Sequence, residues 1–197
     1  MPNTVLLLGD SISNGYRQLV GELLAESDIT VEWSFGGSSA QMLSGLGEWI
    51  DPRRSPDVVH FNCGLHDARY FTVARTYQQP LANYKALLSG IVEWLRTNTS
   101  AKLVWASTTP VNTERLKDYF KRNPTKVEYL RFTDDITAYN EAARAIMEAA
   151  SIPINDLHAV IRSATNECHV DDGVHMAERG YELLARAVAD TVRTHLR

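Results

Sequence analysis

No run in this chain approaches the roughly 20 consecutive apolar residues of a membrane-spanning helix, so no membrane span is expected. Basic charge is not in excess either. The formal net charge is -4, which argues against a general nucleic-acid binder with its basic face. Cysteine is scarce: Cys63 and Cys168 are the only two, too few for a disulfide framework and spaced for no common zinc site. They read as reduced, partly buried thiols, with a single bridge between two loops as the alternative. The Gly-x-Gly-x-x-Gly and Gly-Lys-Ser/Thr phosphate cradles are missing, which excludes the common nucleotide-binding signatures. Neither internal repeats nor low-complexity tracts nor linkers interrupt the chain. Residues 1–197 are therefore expected to form a single domain, long enough to bury a substantial core. Met1-Pro2-Asn3-Thr4 runs straight into an apolar segment with no basic stretch ahead of it. That leads to an expectation of a cytoplasmic protein, although a secreted one shorn of its leader reads the same. Nothing in these totals sets an oligomeric state.

What is present is organised around Val5-Leu6-Leu7-Leu8-Gly9-Asp10-Ser11-Ile12-Ser13-Asn14-Gly15. A short apolar run bounded by turn residues fits a strand buried on both faces of a parallel sheet. The turn leaves Ser11 at the strand's C-terminal end, the edge where open α/β sheets bind ligands. A serine there can act as a nucleophile if a base reaches it. Asp10 and Ser11 also suit a plain turn and helix cap.

Further along, Tyr16 to Ser27 places Leu19, Leu23 and Leu24 on one helical face. Ile29 to Trp33 alternates as an edge strand does. Ser34 to Ser39 is a Gly/Ser loop, and a short helix is expected over Gln41 to Ile50. Asp57 to Asn62 reads as a third strand, followed by the loop Cys63-Gly64-Leu65-His66-Asp67. Apolar residues stepping by three and four predict a long helix over Pro80 to Asn98. Lys102 to Ser107 is a fourth strand. Asn112 to Phe132 is charged, carries Pro124 near its middle and reads as a surface excursion with a turn or two of helix. Asp134 or Asp135 is expected to cap a helix reaching about Ala150. Ile152-Pro153-Ile154 makes a short edge strand, Leu157 to Ser163 a short helix, and a final helix begins near Ala177.

Strands alternating with helices imply an α/β fold: a three-layer α/β/α domain around a five-stranded, mostly parallel sheet. The strands near Val5, Asp57 and Lys102 look central, whereas those at Ile29 and Ile152 look like edges. That predicts the flavodoxin-like order 2-1-3-4-5.

The chemistry-bearing residues come from both ends. Asp172 and His175, in Asp172-Gly173-Val174-His175, are three apart across a glycine, directly before the last helix. A tight turn there brings a carboxylate to one imidazole nitrogen and leaves the other free as a base. Alone, this short pattern is better read as a turn residue and a polar residue near a helix start. With Ser11 it supplies nucleophile, orienter and base. Acyl transfer also needs donors for the developing oxyanion. Gly37 beyond the second strand and His66 beyond the third meet that need, through a backbone amide and a ring nitrogen.

At this point the chain resembles the SGNH (GDSL) hydrolase superfamily. Gly9-Asp10-Ser11-Ile12-Ser13, Gly37 in its Gly/Ser loop, Gly64-Leu65-His66-Asp67 and Asp172-Gly173-Val174-His175 match its successive blocks in order, spread from about residue 4 to 190. The resemblance implies a flavodoxin-like domain and ester hydrolysis through an acyl-serine intermediate, without metal or cofactor. Carried over, Ser11 is the nucleophile and an oxyanion donor through its amide. Gly37 gives a second amide, Asp172 orients, and His175 is the general base. One block departs: His66 stands where the family usually has asparagine. Either the ring replaces the amide as a donor, or the oxyanion hole is impaired and the chain has weak activity, another acyl chemistry or a binding role only. The expected substrate is a small-molecule ester with a short acyl group, such as O-acetyl on a carbohydrate. Lysophospholipase, thioesterase or acyltransferase activity on the same residues is the alternative, and a non-catalytic binding module is another. His60, inside a strand, reads as a hydrogen-bonded core residue and Asp156 as a helix cap. Asp171 lacks the spacing of Asp172. Arg69 and Tyr70 read first as an exposed loop, with substrate contact as the alternative because they follow the third block closely.

Overall fold

The alternation carries through into the computed structural model, which describes residues 3–124, 129–164 and 167–196. β1 (Asn3–Gly9) pairs in parallel with β2 (Ile29–Phe35) on one side and β3 (Val58–Phe61) on the other. β3 then pairs with a strand at Lys102–Ala106, which pairs in turn with a two-residue strand at Ile154–Asn155, again in parallel. Counting only these five strands, the order is the expected 2-1-3-4-5. Val5 to Leu8 and Val58 to Phe61 are all buried, as strands covered on both faces must be. β2 alternates because its outer side has no neighbour. At the opposite edge Pro153 sits just ahead of the last strand, where its missing N–H costs nothing and its carbonyl accepts from Trp105 N at 3.0 Å.

Helices cover both faces. α1 (Ser11–Ala25) packs on the C-terminal helix (Glu178–Leu196). On the other side α2 (Ser39–Trp49) packs on α3 (Leu81–Asn98), and α3 on the helix at Thr133–Ala149. Among the described residues no helix is long and apolar enough to cross a membrane.

The structure departs from the sequence reading in four places. α1 begins at Ser11 rather than Tyr16, because Asp10 supplies an N-cap. Between β3 and α3 lies a small antiparallel hairpin of β4 (Tyr70–Phe71) and β5 (Thr76–Tyr77), too short to show any alternation. With these counted, the strand at Lys102–Ala106 is β6 and that at Ile154–Asn155 is β7. The charged stretch after β6 holds a ten-residue helix, α4 (Thr113–Arg122), capped by Asn112 and buried through Leu116 and Phe120. Residues 125–128 of that stretch lie outside the described residues. The helix at Thr133–Ala149, α5, starts without a side-chain cap; Asp134 and Asp135 sit in its first turn instead, where negative charge suits the helix dipole. α6 (Leu157–Arg162), capped by Asp156 as expected, and α7 (Glu178–Leu196) complete the chain.

His60 is buried in β3, where its Nε2 accepts from Asn155 Nδ2 at 3.1 Å. Burial, with a smaller push from His195, holds its imidazole neutral down to about 4. An unfolded chain takes up that proton near 6.5. The stabilisation is therefore complete above 6.5 and is lost as pH falls from there to 4. At about 1.4 kcal/mol for each pH unit, the drop from 6.5 to about 4 is worth about 3 kcal/mol. Urea unfolding at pH 7 and pH 4.5 should register the loss, and His60→Gln should flatten the slope. An unchanged slope in that variant would assign it to other groups.

Candidate active site

The C-terminal edge of the sheet gathers four loops, and backbone hydrogen bonds tie them together. Gly36 N donates to Gly9 O at 2.7 Å, fixing the loop after β2 beside the end of β1. Asn62 N donates to Leu8 O at 2.9 Å, fixing the loop after β3 on the other side. Asp67 links those two outer loops: its buried carboxylate accepts from Ser39 N at 3.0 Å and from the Ser39 hydroxyl. Burial pushes the Asp67 carboxyl up, against the pull of those Ser39 hydrogen bonds.

Ser11 is the first residue of α1, so its own N–H has no acceptor within the helix. Asp10 just ahead is buried, and its Oδ1 accepts from Ile12 N at 2.9 Å. The Ser11 Oγ lies 2.8 Å from His175 Nε2. Across the ring, His175 Nδ1 lies 2.6 Å from Asp172 Oδ2. A carboxylate only accepts, so Nδ1 carries the proton and Nε2 presents its lone pair to the Ser11 hydroxyl. The other carboxylate oxygen of Asp172 accepts from the N–H groups of Val174 and His175, each at 2.9 Å. Partial burial opposes ionisation of Asp172. The hydrogen bonds from His175 and the two backbone amides outweigh it and hold the carboxyl well below the usual carboxylate range.

The turn that carries Asp172 and His175 is itself braced. His169 and Met176 form an antiparallel bridge around it, and Val170 N donates to His175 O at 2.9 Å. The start of α4 supports its tip: Asn112 N donates to Gly173 O at 2.7 Å, and Arg115 Nη1 to His169 O at 3.2 Å. The charged stretch read as a surface excursion thus carries a buttress for this turn. Gly173 has a φ of 66°, and a Cβ there would press on the Asn112 carbonyl and lie 2.9 Å from Arg115 Cβ. Gly173→Ala should therefore cost more than about 1 kcal/mol in urea unfolding and lower kcat on an ester as the turn shifts. A variant that keeps both would release the turn from α4.

Gly37 has a φ of 58° immediately before Ser38, the N-cap of α2. A side chain at Gly37 would strike Gln41 Oε1, which belongs to the Ser38–Gln41 capping box, and lie 3.1 Å from the Phe35 ring. The glycine leaves its backbone open to approach at the rim. His66, buried in the loop after β3, sits with its ring 5.9 Å from that of Phe35. Burial, reinforced by Arg69, Arg131 and His175, pushes its imidazole down to about 3, so it is neutral at ordinary pH. A neutral ring still has one N–H to donate.

The structure therefore brings Ser11, His175 and Asp172 into one hydrogen-bonded chain and places Gly37 and His66 in the loops flanking it. A hydroxyl so placed can attack an electrophilic carbon as the imidazole takes its proton. Cys63 and Cys168 are buried thiols and do not join two loops through a disulfide. Among the described residues no group of His, Cys, Asp and Glu is arranged to hold a metal ion. Arg131 had no local signal. Lying in the charged stretch, it is fully buried, donates through Nε to Leu65 O at 2.6 Å and rests on the Tyr129 ring. Its partner carbonyl is far away in sequence, and arginine by itself reads as surface.

Comparison with known proteins bears on the whole arrangement. The model of the GDSL-like lipase/acylhydrolase family matches residues 7–183. No curated protein matches. Among solved structures, a lipase/acylhydrolase from Enterococcus faecalis is similar at 21% identity and a TM-score of 0.77, covering 98% of this chain and 96% of that one. A catalytic mutant of an acetylxylan esterase from Geobacillus stearothermophilus is similar at 18% identity and a TM-score of 0.74, covering 98% and 95%. A GDSL-like lipase from Bacteroides thetaiotaomicron gives 18% identity and a TM-score of 0.71, with 98% and 88% covered. At such identities these structures speak for the fold.

Proposed function

Because the chain belongs to the GDSL-like lipase/acylhydrolase family, we propose that it is a serine esterase releasing a short acyl group, such as acetyl on a carbohydrate. The observation that carries this reading is the hydrogen-bonded chain from Ser11 Oγ through His175 to Asp172, with spacings of 2.8 and 2.6 Å. In the first step Ser11 Oγ attacks the ester carbonyl carbon while His175 Nε2 accepts its proton. The carbonyl oxygen becomes an oxyanion, held by the N–H groups of Ser11 and Gly37 and by the His66 ring. The α1 N-terminus adds its dipole at the same point. Collapse breaks the bond to the alcohol, which leaves with the proton from His175, and Ser11 retains the acyl group. Water then attacks the acyl-serine with His175 again as base; the acyl bond to Ser11 Oγ breaks, His175 returns the proton to that oxygen, and the acid departs.

Two features favour a short acyl group on a sugar. The cavity beneath the nucleophile's turn, lined by Asp10, Ile12, Ser13, Tyr16 and Asn62 among others, has about 10 Å³, the space of one water. No acyl chain fits within that cavity. At the rim, Phe35 is 43% exposed, with its ring 5.9 Å from His66 and 6.1 Å from Trp33, so an apolar face is available to a sugar ring.

Chromogenic esters of increasing acyl length, assayed beside acetylated sugars with Ser11→Ala as the blank, test the proposal. Activity should be highest on acetyl esters; a preference rising with chain length would overturn the small-acyl part. Removing one oxyanion donor usually costs roughly 10²–10³-fold in kcat, and His66→Ala is expected to fall in that range. His66→Asn should recover much of it. An unchanged kcat in His66→Ala would remove His66 from the oxyanion site.

A further inference from the structure

We propose that Arg69 is a positioning residue for His66: its guanidinium takes the lone pair of Nε2, sets the ring proton on Nδ1 and so makes Nδ1–H the donor offered to the oxyanion. This rests on the reading of His66 as an oxyanion donor. Arg69 Nη2 lies 3.3 Å from His66 Nε2. A guanidinium donates and never accepts, so Nε2 must present a lone pair there. A neutral imidazole has one proton, and only Nδ1 is left to carry it.

The groups facing the ring agree with that state. Arg69 comes from the same loop, Arg131 from the segment before α5, His175 from the turn before α7, and the Phe35 ring from the end of β2. Three of these are cations or can become one, and His66 is only 8% exposed, so burial and like charge both oppose a second proton on the ring. Arg69 is held in place independently of His66. Its Nη1 reaches Gln78 Oε1 at 3.4 Å, and its Cζ lies 4.9 Å from the centre of the Tyr129 ring. Arg131 rests on the same tyrosine at 4.8 Å. Gln78 N also donates to Arg69 O at 2.8 Å, fixing the backbone.

The consequence is a requirement that an asparagine does not have. An amide nitrogen on Cγ donates whatever its neighbours do, whereas Nδ1, also bonded to Cγ, donates only in one tautomer. Arg69 removes the choice.

The test is a kinetic cycle read beside NMR. Long-range ¹H–¹⁵N spectra of the wild type, with His66 assigned by its loss in His66→Asn, should show a proton-bearing Nδ1 and a bare Nε2. Arg69→Ala should move the ring toward the opposite tautomer and lower kcat about tenfold, less than the 10²–10³-fold of full donor loss, with KM little changed. Arg69→Lys, which can still donate to Nε2, should restore part of both. In the His66→Asn background Arg69→Ala should cost less than about threefold, because the coupled partner is gone. A wild-type ring protonated on Nε2 would overturn the proposal. So would an equal kcat loss in both backgrounds, which would make Arg69 a structural residue, or a tautomer and rate unmoved by Arg69→Ala. A wild type that turns over no ester would instead defeat the esterase reading, while the spectra would still decide the role of Arg69.

Discussion

Ser11→Ala should lower kcat on an acetyl ester by about 10⁶-fold and abolish labelling by a fluorophosphonate probe. The wild type should label at one site. The size of the loss follows from the role proposed for the hydroxyl: without it, no acyl-enzyme would form and the imidazole would have nothing to deprotonate but water. The backbone N–H groups of Ser11 and Gly37, proposed as oxyanion donors, survive the change, so a residual rate above that of water is expected. The fold should survive too. Ser11 stands at the first position of α1, where alanine is a good helix former, and the cap is supplied by Asp10. An unchanged melting temperature beside the lost rate would mark the effect as chemical. Continued labelling of Ser11→Ala would move the nucleophile elsewhere.

Asp172→Asn should cost about 10⁴-fold in kcat while barely changing the structure. The carboxylate now accepts the Nδ1–H of His175 at 2.6 Å and leaves Nε2 free to take the Ser11 proton. An asparagine keeps an oxygen for the Val174 and His175 amides but turns an N–H toward Nδ1. That favours the tautomer protonated on Nε2, which cannot act as the base. The wild-type Asp172 carboxyl lies well below the usual range, since the hydrogen bonds from His175 and two amides outweigh the burial that raises it. It stays charged through any acidic limb of the rate profile, so that limb should not report Asp172. A loss below about tenfold in Asp172→Asn, against the 10⁴-fold of a true orienting carboxylate, would make Asp172 only a turn residue.

Much of this could be read from the chain. The apolar runs at Val5, Val58 and Lys102 named the central strands because burial on both faces demands uninterrupted apolar sequence. Residues at short, fixed spacing were equally legible. Asp172 and His175 meet across one turn, so local geometry suffices to join them. The hairpin at Tyr70–Phe71 and Thr76–Tyr77 was not legible, since two residues cannot display a period. Nor was α4, which buries only Leu116 and Phe120 and reads as charge elsewhere.

By itself, then, the sequence determined the layer architecture, the strand order and the residue types at the sheet's C-terminal rim, because period and spacing are local properties. Tertiary structure alone decided that Ser11 and His175, 164 residues apart, stand at hydrogen-bond distance. It also decided that Arg131 is buried beneath Leu65 and that Arg69 faces His66. Such pairings depend on how loops from separate strands converge. Spacing along a chain carries no record of that.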